Sequence, residues 1–221
     1  MGTNFRGKSP GYHNINNAKF CPKKEDGTPD DANIIRLPYS KTLALSPLLE
    51  RQDVYADGRN VLAIPSDQGY EGSYGTTDQD IGLETALGFA EELAGGLGTL
   101  KMTGYRRGYM YYEFKRALED GRNYVVKAWL YDAEFGKAAI SNETDTNTLT
   151  MGTTSYPLRV YGTPALDDEG KPVTDELGNE KVVIMMISLP GDDDYTTFGD
   201  AVPLPKVKPP EETGEPEPPE A

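Results

Sequence analysis

Residues able to catalyse a reaction are few in this chain and lie far apart in the sequence. His13 is the only histidine and Cys21 the only cysteine among 221 residues, which almost excludes a triad built on histidine and a zinc site built from these ligands. A single cysteine also forms no intramolecular disulfide. The sequence contains no Walker A, Rossmann or HExxH pattern. We therefore expect no catalytic residues, no metal, no cofactor and no enzymatic activity.

Carboxylates are the one abundant ionisable group. The chain has 36 Asp and Glu residues against 22 Lys and Arg residues, a formal net charge of −14. The runs Asp167–Glu169 and Asp192–Asp194 could ligate Ca²⁺, but both lack the D-x-D-x-D-G loop with its distal glutamate. An acidic surface repels nucleic-acid phosphate and anionic membranes, and it also keeps a protein soluble. No apolar run has the roughly 18 residues that span a bilayer, so no membrane partner is expected.

Two short motifs resemble anion-binding sites. Gly95–Gly98 looks like a phosphate cradle, but it follows a predicted helix instead of opening one, which favours a helix C-cap. Arg106 and Arg107 form a lone basic pair. The pair could bind a phosphate, although we prefer contact with an acidic neighbouring subunit. Tyrosine-rich strands could stack on sugars, but packing in a core or an interface is the commoner use of tyrosine.

A long aromatic hairpin is the element around which the predicted fold is organised. Asp120-Gly121 divides two runs rich in Tyr, Phe, Val and Trp, and Asp-Gly favours a two-residue type I′ turn. The opposite-strand pairs that follow place one aromatic face in the core. Its predicted anchors are Met110, Tyr112, Phe114, Trp129 and Tyr131. The other face carries Tyr111 and Tyr124, which we assign to contact with a second sheet or a neighbouring subunit.

The segment Ser46–Asp80 is predicted to be a long, exposed hairpin. Turn signals divide it into short extended runs, with Asp57-Gly58 near one bend. Its second strand contains Gly69, Gly72 and Gly75, which indicate bulges or close backbone approach. Because such a segment packs poorly on its own domain, we expect it to order against a neighbouring chain.

Periodicity predicts one helix and one deeply buried strand besides the hairpins. Ile81–Ala94 is predicted as an amphipathic helix, capped by Asp80 and ended by Gly95-Gly96. Lys181–Leu189 is a continuous apolar run, which we predict to be the most deeply buried strand, paired with Ser155–Tyr161.

Composition separates a tail from the body of the chain. Residues 1–202 have the length of one large β domain or two small ones, and we predict a single body. Residues 203–221 contain seven Pro, five Glu and two Lys. This composition is typical of a polyproline-like or disordered tail.

The order and character of these segments resemble the major tail proteins of siphophages. In that family an aromatic strand precedes a Lys/Arg-rich bend, and a return strand of Tyr-Trp-Leu-Tyr type ends in a Phe-Gly-Lys-like turn. The matching segments here are Gly108–Arg116, Asp120–Arg122 and Tyr124–Lys137. Further matches are Tyr55–Asp57 to a Tyr-Ala-Asp stretch, Tyr70–Ala94 to a strand followed by an amphipathic helix, and Thr146–Tyr161 to a Thr-rich strand.

The resemblance implies a fold and an assembly. The fold would be mainly β, a two-sheet antiparallel β-sandwich with one flanking helix. Family members form hexameric rings whose inner sheets close into a shared barrel, and the rings stack into a tube through which DNA passes. A long loop, here Ser46–Asp80, reaches the adjacent ring. The implied partners are other copies of the chain, a tape measure protein, tail terminator and distal tail proteins, and non-specifically passing viral DNA, in a virion assembled in the host cytoplasm.

Within that architecture the negative charge has a use. An acidic lumen would let DNA slide, because each Lys or Arg contact with phosphate releases counterions and adds affinity. The carboxylates that we assign to the lumen or to ring contacts are Asp53, Asp57, Glu71 and Asp78. The alternative is a monomeric β-sandwich that binds carbohydrate or decorates a virion surface, and it predicts a shallow Tyr/Trp groove.

Overall fold

The computed structural model describes residues 5, 6, 9, 11–56, 59–102, 104, 106–139 and 153–207, without the side chains of residues 52, 54–56 and 60–65. Within these ranges α1 (Ile81–Ala86) is the one α-helix, and none is long and apolar enough to cross a membrane. The strands are β1 (Tyr12–Pro22), β2 (Ile35–Leu37), β3 (Ser40–Ala56), β4 (Arg59–Thr76), β5 (Ala90–Leu93), β6 (Gly96–Thr99), β7 (Arg107–Ala117), β8 (Asn123–Phe135), β9 (Thr154–Val160), β10 (Thr163–Pro164), β11 (Val182–Val183) and β12 (Met185–Ser188).

One antiparallel sheet contains most of these strands. Its order is β2-β1-β7-β8-β9-β4-β3, and β12 also pairs with β8. The outer edge of β8 is shared, since Leu130 lies opposite Met185 of β12 and Ala133 lies opposite Val160 of β9. The pairs β5–β6 and β10–β11 form separate ribbons. The mainly β class, the antiparallel pairing and the single helix are confirmed, but the described strands form one main hydrogen-bonded sheet instead of two.

The central hairpin, β7–β8, has a register one residue away from the predicted one. Tyr111 lies opposite Trp129, and Met110 lies opposite Leu130. The loop has three residues, because the amide of Leu118 donates to the carbonyl of Arg122 at 2.7 Å. Gly121 takes the left-handed conformation, with a φ of 82°, that such a loop requires. Trp129 and Tyr131 therefore share a face with Tyr111 and not with Tyr112, which corrects the predicted face assignment.

The two faces of this hairpin enter different cores. On one face, Met110 and Leu130 pack with residues of β1, β4, β9 and α1. On the other face, Tyr111, Trp129 and Tyr131 pack beneath the irregular segment 190–207. The indole Nε1–H of Trp129 donates to the carbonyl of Phe198, and the hydroxyl of Tyr131 donates to that of Pro203, both at 2.7 Å.

Three of the predicted roles for these aromatic residues are decided by burial. Trp129 and Tyr131 are fully buried, so their prediction as core anchors is confirmed. Tyr111 was predicted to lie at a subunit interface, but only 1% of it is exposed. Its ring lies so close to Gly199 that a Cβ there would come within 2.7 Å of the ring. Tyr111 is therefore a core residue of its own chain.

The helix is shorter than predicted. Its N-terminus is capped as expected, because the amide of Leu83 donates to the Asp80 carboxylate at 2.9 Å. It ends at Ala86, since Gly88 adopts a left-handed φ of 71° and turns the chain away. The predicted second half of the helix, Ala90–Leu93, instead pairs as β5 with β6.

The apolar run Lys181–Leu189 does not form the buried strand that was predicted. It contains β11 and β12, which pair with β10 and β8, and not with β9. About two fifths of Met185 and Ile187 remain exposed. The prediction was wrong because β9 instead pairs with β4 and the end of β8, so β12 is paired on only one side.

Replacing Trp129 tests the core beneath the segment 190–207. The Trp129→Ala variant loses a large buried side chain and leaves the Phe198 carbonyl without its donor, so the free energy of unfolding should fall by about 3–5 kcal/mol. Urea denaturation measures this loss. The matched control is Tyr39→Ala, an aromatic residue that is 74% exposed and whose removal should cost within about 0.5 kcal/mol. Equal losses in the two variants would contradict the assignment.

Asp80 gives a test of the helix cap. Burial raises the pKa of this carboxyl above its usual range in the folded chain, so the stability linked to its protonation is present at low pH and is lost as pH rises through the folded pKa. Asp80→Asn keeps an acceptor for the Leu83 amide without the charge. We expect it to match or exceed the native unfolding free energy at pH 7, with a flatter pH dependence, whereas Asp80→Ala should lose about 1 kcal/mol. Chemical denaturation across pH distinguishes these outcomes, and equal destabilisation in both variants would refute the account.

Candidate assembly surface

β3 and β4 extend well beyond the sheet as a two-stranded arm. β9 pairs with β4 only between Tyr70 and Thr76. Further out, Leu49–Ala56 pairs with Arg59–Asp67, and no third strand is paired with either in the described part of the chain. We call these two segments the arm. The predicted long hairpin is confirmed, while its predicted bend at Asp57-Gly58 lies outside the described residues. An isolated two-stranded ribbon is marginally stable in water.

Glycines hold the base of the arm tightly between its neighbours. A Cβ at Gly72 would lie 1.9 Å from the carbonyl oxygen of Ala44, and one at Gly69 would lie 2.1 Å from that of Val160. The register of β3 and β4 also shifts beside Gly69, between Pro47 and Leu49. The predicted bulge and close backbone approach are thus confirmed. The arm leaves the sheet from a rigid base.

Three of the four carboxylates predicted to line a lumen are described, and these three are exposed but separate. Asp53 lies in the arm and pairs with Arg51 at 2.8 Å. Glu71 lies at the base of the arm and pairs with Arg159 at 3.4 Å. Asp78 precedes α1, and its carboxylate accepts from the amide of Gln79 at 2.7 Å. Asp57 lies outside the described residues. No group of three metal-ligating side chains occurs among the residues that are described.

Arg107 has its charged partners inside its own chain. Its Nε donates to Glu134 and its Nη1 donates to Asp132, both at 3.0 Å. The guanidinium also lies 4.2 Å from the ring centroid of Tyr161. The prediction that Arg107 pairs with a neighbouring subunit is therefore corrected, because the two carboxylates face it across the β7–β8 pair. Arg106 is exposed, and its Nη1 donates to the carbonyl of Ala86 at 3.4 Å.

Tyr124 is also an internal residue. It is 8% exposed, and its hydroxyl donates to the carbonyl of Phe5 at 2.9 Å. The rings of Phe5 and Tyr124 make an edge contact, with centroids 5.0 Å apart. Because residues that precede β1 cover this part of the hairpin, the predicted subunit contact at Tyr124 is wrong.

An apolar cleft of about 1030 Å³ lies between β1 and β3. Aromatic rings line one wall: Phe114 has its centroid 6.0 Å from that of Tyr12 and 5.8 Å from that of Tyr112. The facing wall contains Leu43 and Leu45 of β3. Tyr112 and Phe114, predicted as core anchors, are thus half-buried cleft residues. Burial raises the pKa of Tyr112 to about 12, so it remains a neutral phenol.

The rim of the cleft is exposed and apolar. Tyr12 is 80% exposed, and Val182 is 52% exposed. Contiguous exposed apolar surface is typical of an interaction site or a ligand-binding groove. The sequence signal for this wall was the alternation Met110-Tyr112-Phe114, which we interpreted as core. The cleft itself was missed because it depends on the approach of β1 to β3, which are distant in the strand order.

Free strand edges border the same cleft. β1 pairs with β2 only from Ala18 to Phe20, so its first half has a strand partner, β7, on one side only. β3 pairs only with β4 in the described sheet. Unpaired edges present backbone donors and acceptors that an extended chain can satisfy. These edges have the backbone geometry with which an extended chain could pair, and no cluster of three metal-ligating side chains occurs among the described residues.

Comparison of the chain with family models, curated proteins and solved structures gave no match.

Gly72 provides a test of the arm's rigid base. Gly72→Ala would place a Cβ against the backbone carbonyl of Ala44, and the strands must separate to admit it. We expect a loss of about 1–3 kcal/mol in the free energy of unfolding, measured in urea. Gly95→Ala is the matched control, since nothing lies within 4 Å of a Cβ there. A Gly72→Ala variant as stable as this control would contradict the close approach.

Proposed function

We propose that this chain is a structural virion protein that assembles with copies of itself into the tail tube of a long-tailed bacteriophage. The arm is the observation that carries the proposal. Eight consecutive residue pairs, from Leu49–Asp67 to Ala56–Arg59, extend past the last sheet strand that could support them. A ribbon of this kind gains stability by packing on another molecule. The resemblance of the chain to siphophage major tail proteins assigns that molecule to the adjacent ring.

A ring also makes use of the sheet edges. The outer edge of β3 is 17 residues long, and long free edges are aggregation hazards unless they are paired. Pairing between copies around a closed ring satisfies the backbone groups of such edges, and the ring closes instead of growing into an open filament. The proposed assembly is the hexameric ring of the tail proteins, with sheets from successive copies forming a shared barrel. Stacked rings would then form the conduit for DNA ejection.

The remaining partners follow from that assembly. A tape measure protein would lie within the tube, and tail terminator and distal tail proteins would contact its ends. The chain would act without cofactor or catalysis, in a virion assembled in the host cytoplasm. Viral DNA would pass without specific binding, because a net charge of −14 disfavours contact with phosphate. Asp53, Glu71 and Asp78 are exposed and are our described candidates for that acidic surface.

A monomeric binding module is the second candidate, and the aromatic cleft favours it. The rings of Tyr12, Phe114 and Tyr112 are arranged so that they could stack on a sugar. This function predicts a stable monomer at high protein concentration that binds oligosaccharide in the cleft. The tube predicts rings or tubes under the same conditions.

Shortening the arm tests the proposed assembly. Replacing Arg51–Pro65 with Asn-Gly closes the hairpin at the pair Glu50–Ser66 by a two-residue turn. Because the arm lies beyond the sheet, the variant should fold with an unfolding free energy within about 1 kcal/mol of the native value. Negative-stain microscopy at high concentration should show tubes or six-fold rings for the native chain and none for the variant.

A second shortened loop serves as the control for this experiment. Replacing Asp175–Asn179 with Asn-Gly, between the bridged residues Thr174 and Glu180, should leave assembly unchanged. A native chain that stays monomeric at every concentration would refute the tube. Tubes formed by the shortened-arm variant would show that the arm is not the assembling element.

A further inference from the structure

We propose that the proline-rich segment 208–221 binds in the apolar cleft between β1 and β3 of its own chain. The inference concerns a different surface from the arm and does not depend on the tube. Three observations carry it: the aromatic wall of the cleft, the place where the described chain ends, and the distribution of charge.

The aromatic wall matches the chemistry of a proline-rich segment. Tyr12, Phe114 and Tyr112 form a continuous row of rings along one side of the cleft. Proline-rich segments bind in aromatic-lined grooves, because their extended helix is already formed and little conformational entropy is lost. Residues 208–221 contain five prolines: Pro209, Pro210, Pro216, Pro218 and Pro219.

The described chain ends close to the rim of the cleft. The amide of Val207 donates to the carbonyl of Leu166 at 2.8 Å, and that of Ala165 donates to the carbonyl of Lys181 at 2.7 Å. The next residue, Val182, lines the cleft. These two hydrogen bonds link three neighbouring chain segments. Two spacings between neighbouring segments, each about 4.8 Å, place Val207 about 10 Å from Val182 at the rim. Fourteen residues of polyproline II span about 43 Å, which is enough to enter and cross the cleft.

The charge around the cleft is unlike that of the rest of the molecule. The chain has 36 carboxylate residues, yet none is among the described residues that line the cleft, where Lys41 and His13 supply the ionisable basic groups. Residues 208–221 contain five Glu and one Lys, a net charge of −4. An acidic segment is repelled by most of this surface and is best accommodated at the cleft.

The test uses the full chain throughout, with the cleft vacated by substitution. In one variant, the five prolines of residues 208–221 are replaced by serine. A fluorescently labelled peptide with the native sequence of residues 208–221 is then titrated with each protein, and its anisotropy is measured. We expect the peptide to bind the five-serine variant at least about tenfold more tightly than the native chain, because the tethered native segment competes at high effective concentration.

Point variants in the five-serine background locate the binding site. Tyr12→Asn should weaken peptide binding by about fivefold or more, because it removes one ring of the wall. Tyr39→Asn is the matched control, since Tyr39 is 74% exposed and does not line the cleft, and it should leave the affinity unchanged. Lys41→Glu should weaken binding, and added salt should then strengthen it, because salt screens the repulsion between the new carboxylate and the acidic peptide.

Three outcomes would overturn the proposal. The peptide could fail to bind the five-serine variant. It could bind the native chain equally well, which would mean that the segment does not occupy its own cleft. The two substitutions Tyr12→Asn and Tyr39→Asn could weaken peptide binding equally, which would place the binding site outside the cleft.

Discussion

β8 is buried on both faces, and the rest of the fold is arranged to cover it. Every residue from Ala128 to Phe135 is buried, and side chains alternate across a strand, so one strand contributes to two separate cores. Leu130 packs in the core that includes α1, and Trp129 packs beneath the segment 190–207. An antiparallel sheet commonly leaves one face to water. Here an irregular segment closes that face, and its carbonyls accept from the polar ends of two buried aromatic residues.

The cleft and the arm both arise because two strands share the outer edge of β8. Because β12 and β9 share that edge, the strands β9, β4 and β3 leave the sheet as a separate group and curl toward β1. β1 and β3 approach without pairing as strands, and the apolar cleft lies between them. β4 continues past β9 with β3 as its one partner in the described part of the chain, which creates the arm. Cleft and arm are thus consequences of one topology.

Local signals predicted part of this structure. The mainly β class, the long hairpin of β3 and β4, the cap at Asp80 and the close approach at Gly69 and Gly72 each follow from residue types within a short window. The register of β7–β8 did not, because Asp-Gly is compatible with a loop of two or three residues and one residue moves Trp129 to the other face. The helix was overextended because Ala90 and Leu93 lie three positions apart, a spacing that fits the apolar stripe of a helix. The cleft depends on contacts between distant strands, which no local pattern encodes.

The arm and the cleft differ in the kind of contact that would complete them, so we propose a different partner for each. No third strand pairs with the arm among the described residues, so backbone groups or a packing surface from another copy would support it under the proposed assembly. The cleft is apolar and free of lining carboxylates in a strongly acidic chain, so it suits a segment that combines apolar side chains with negative charge. The proposed occupant, the proline-rich acidic segment 208–221, has both properties. Because it belongs to the same chain, its binding loses little translational freedom. If both proposals hold, the chain covers its cleft alone, whereas its arm is covered only on assembly.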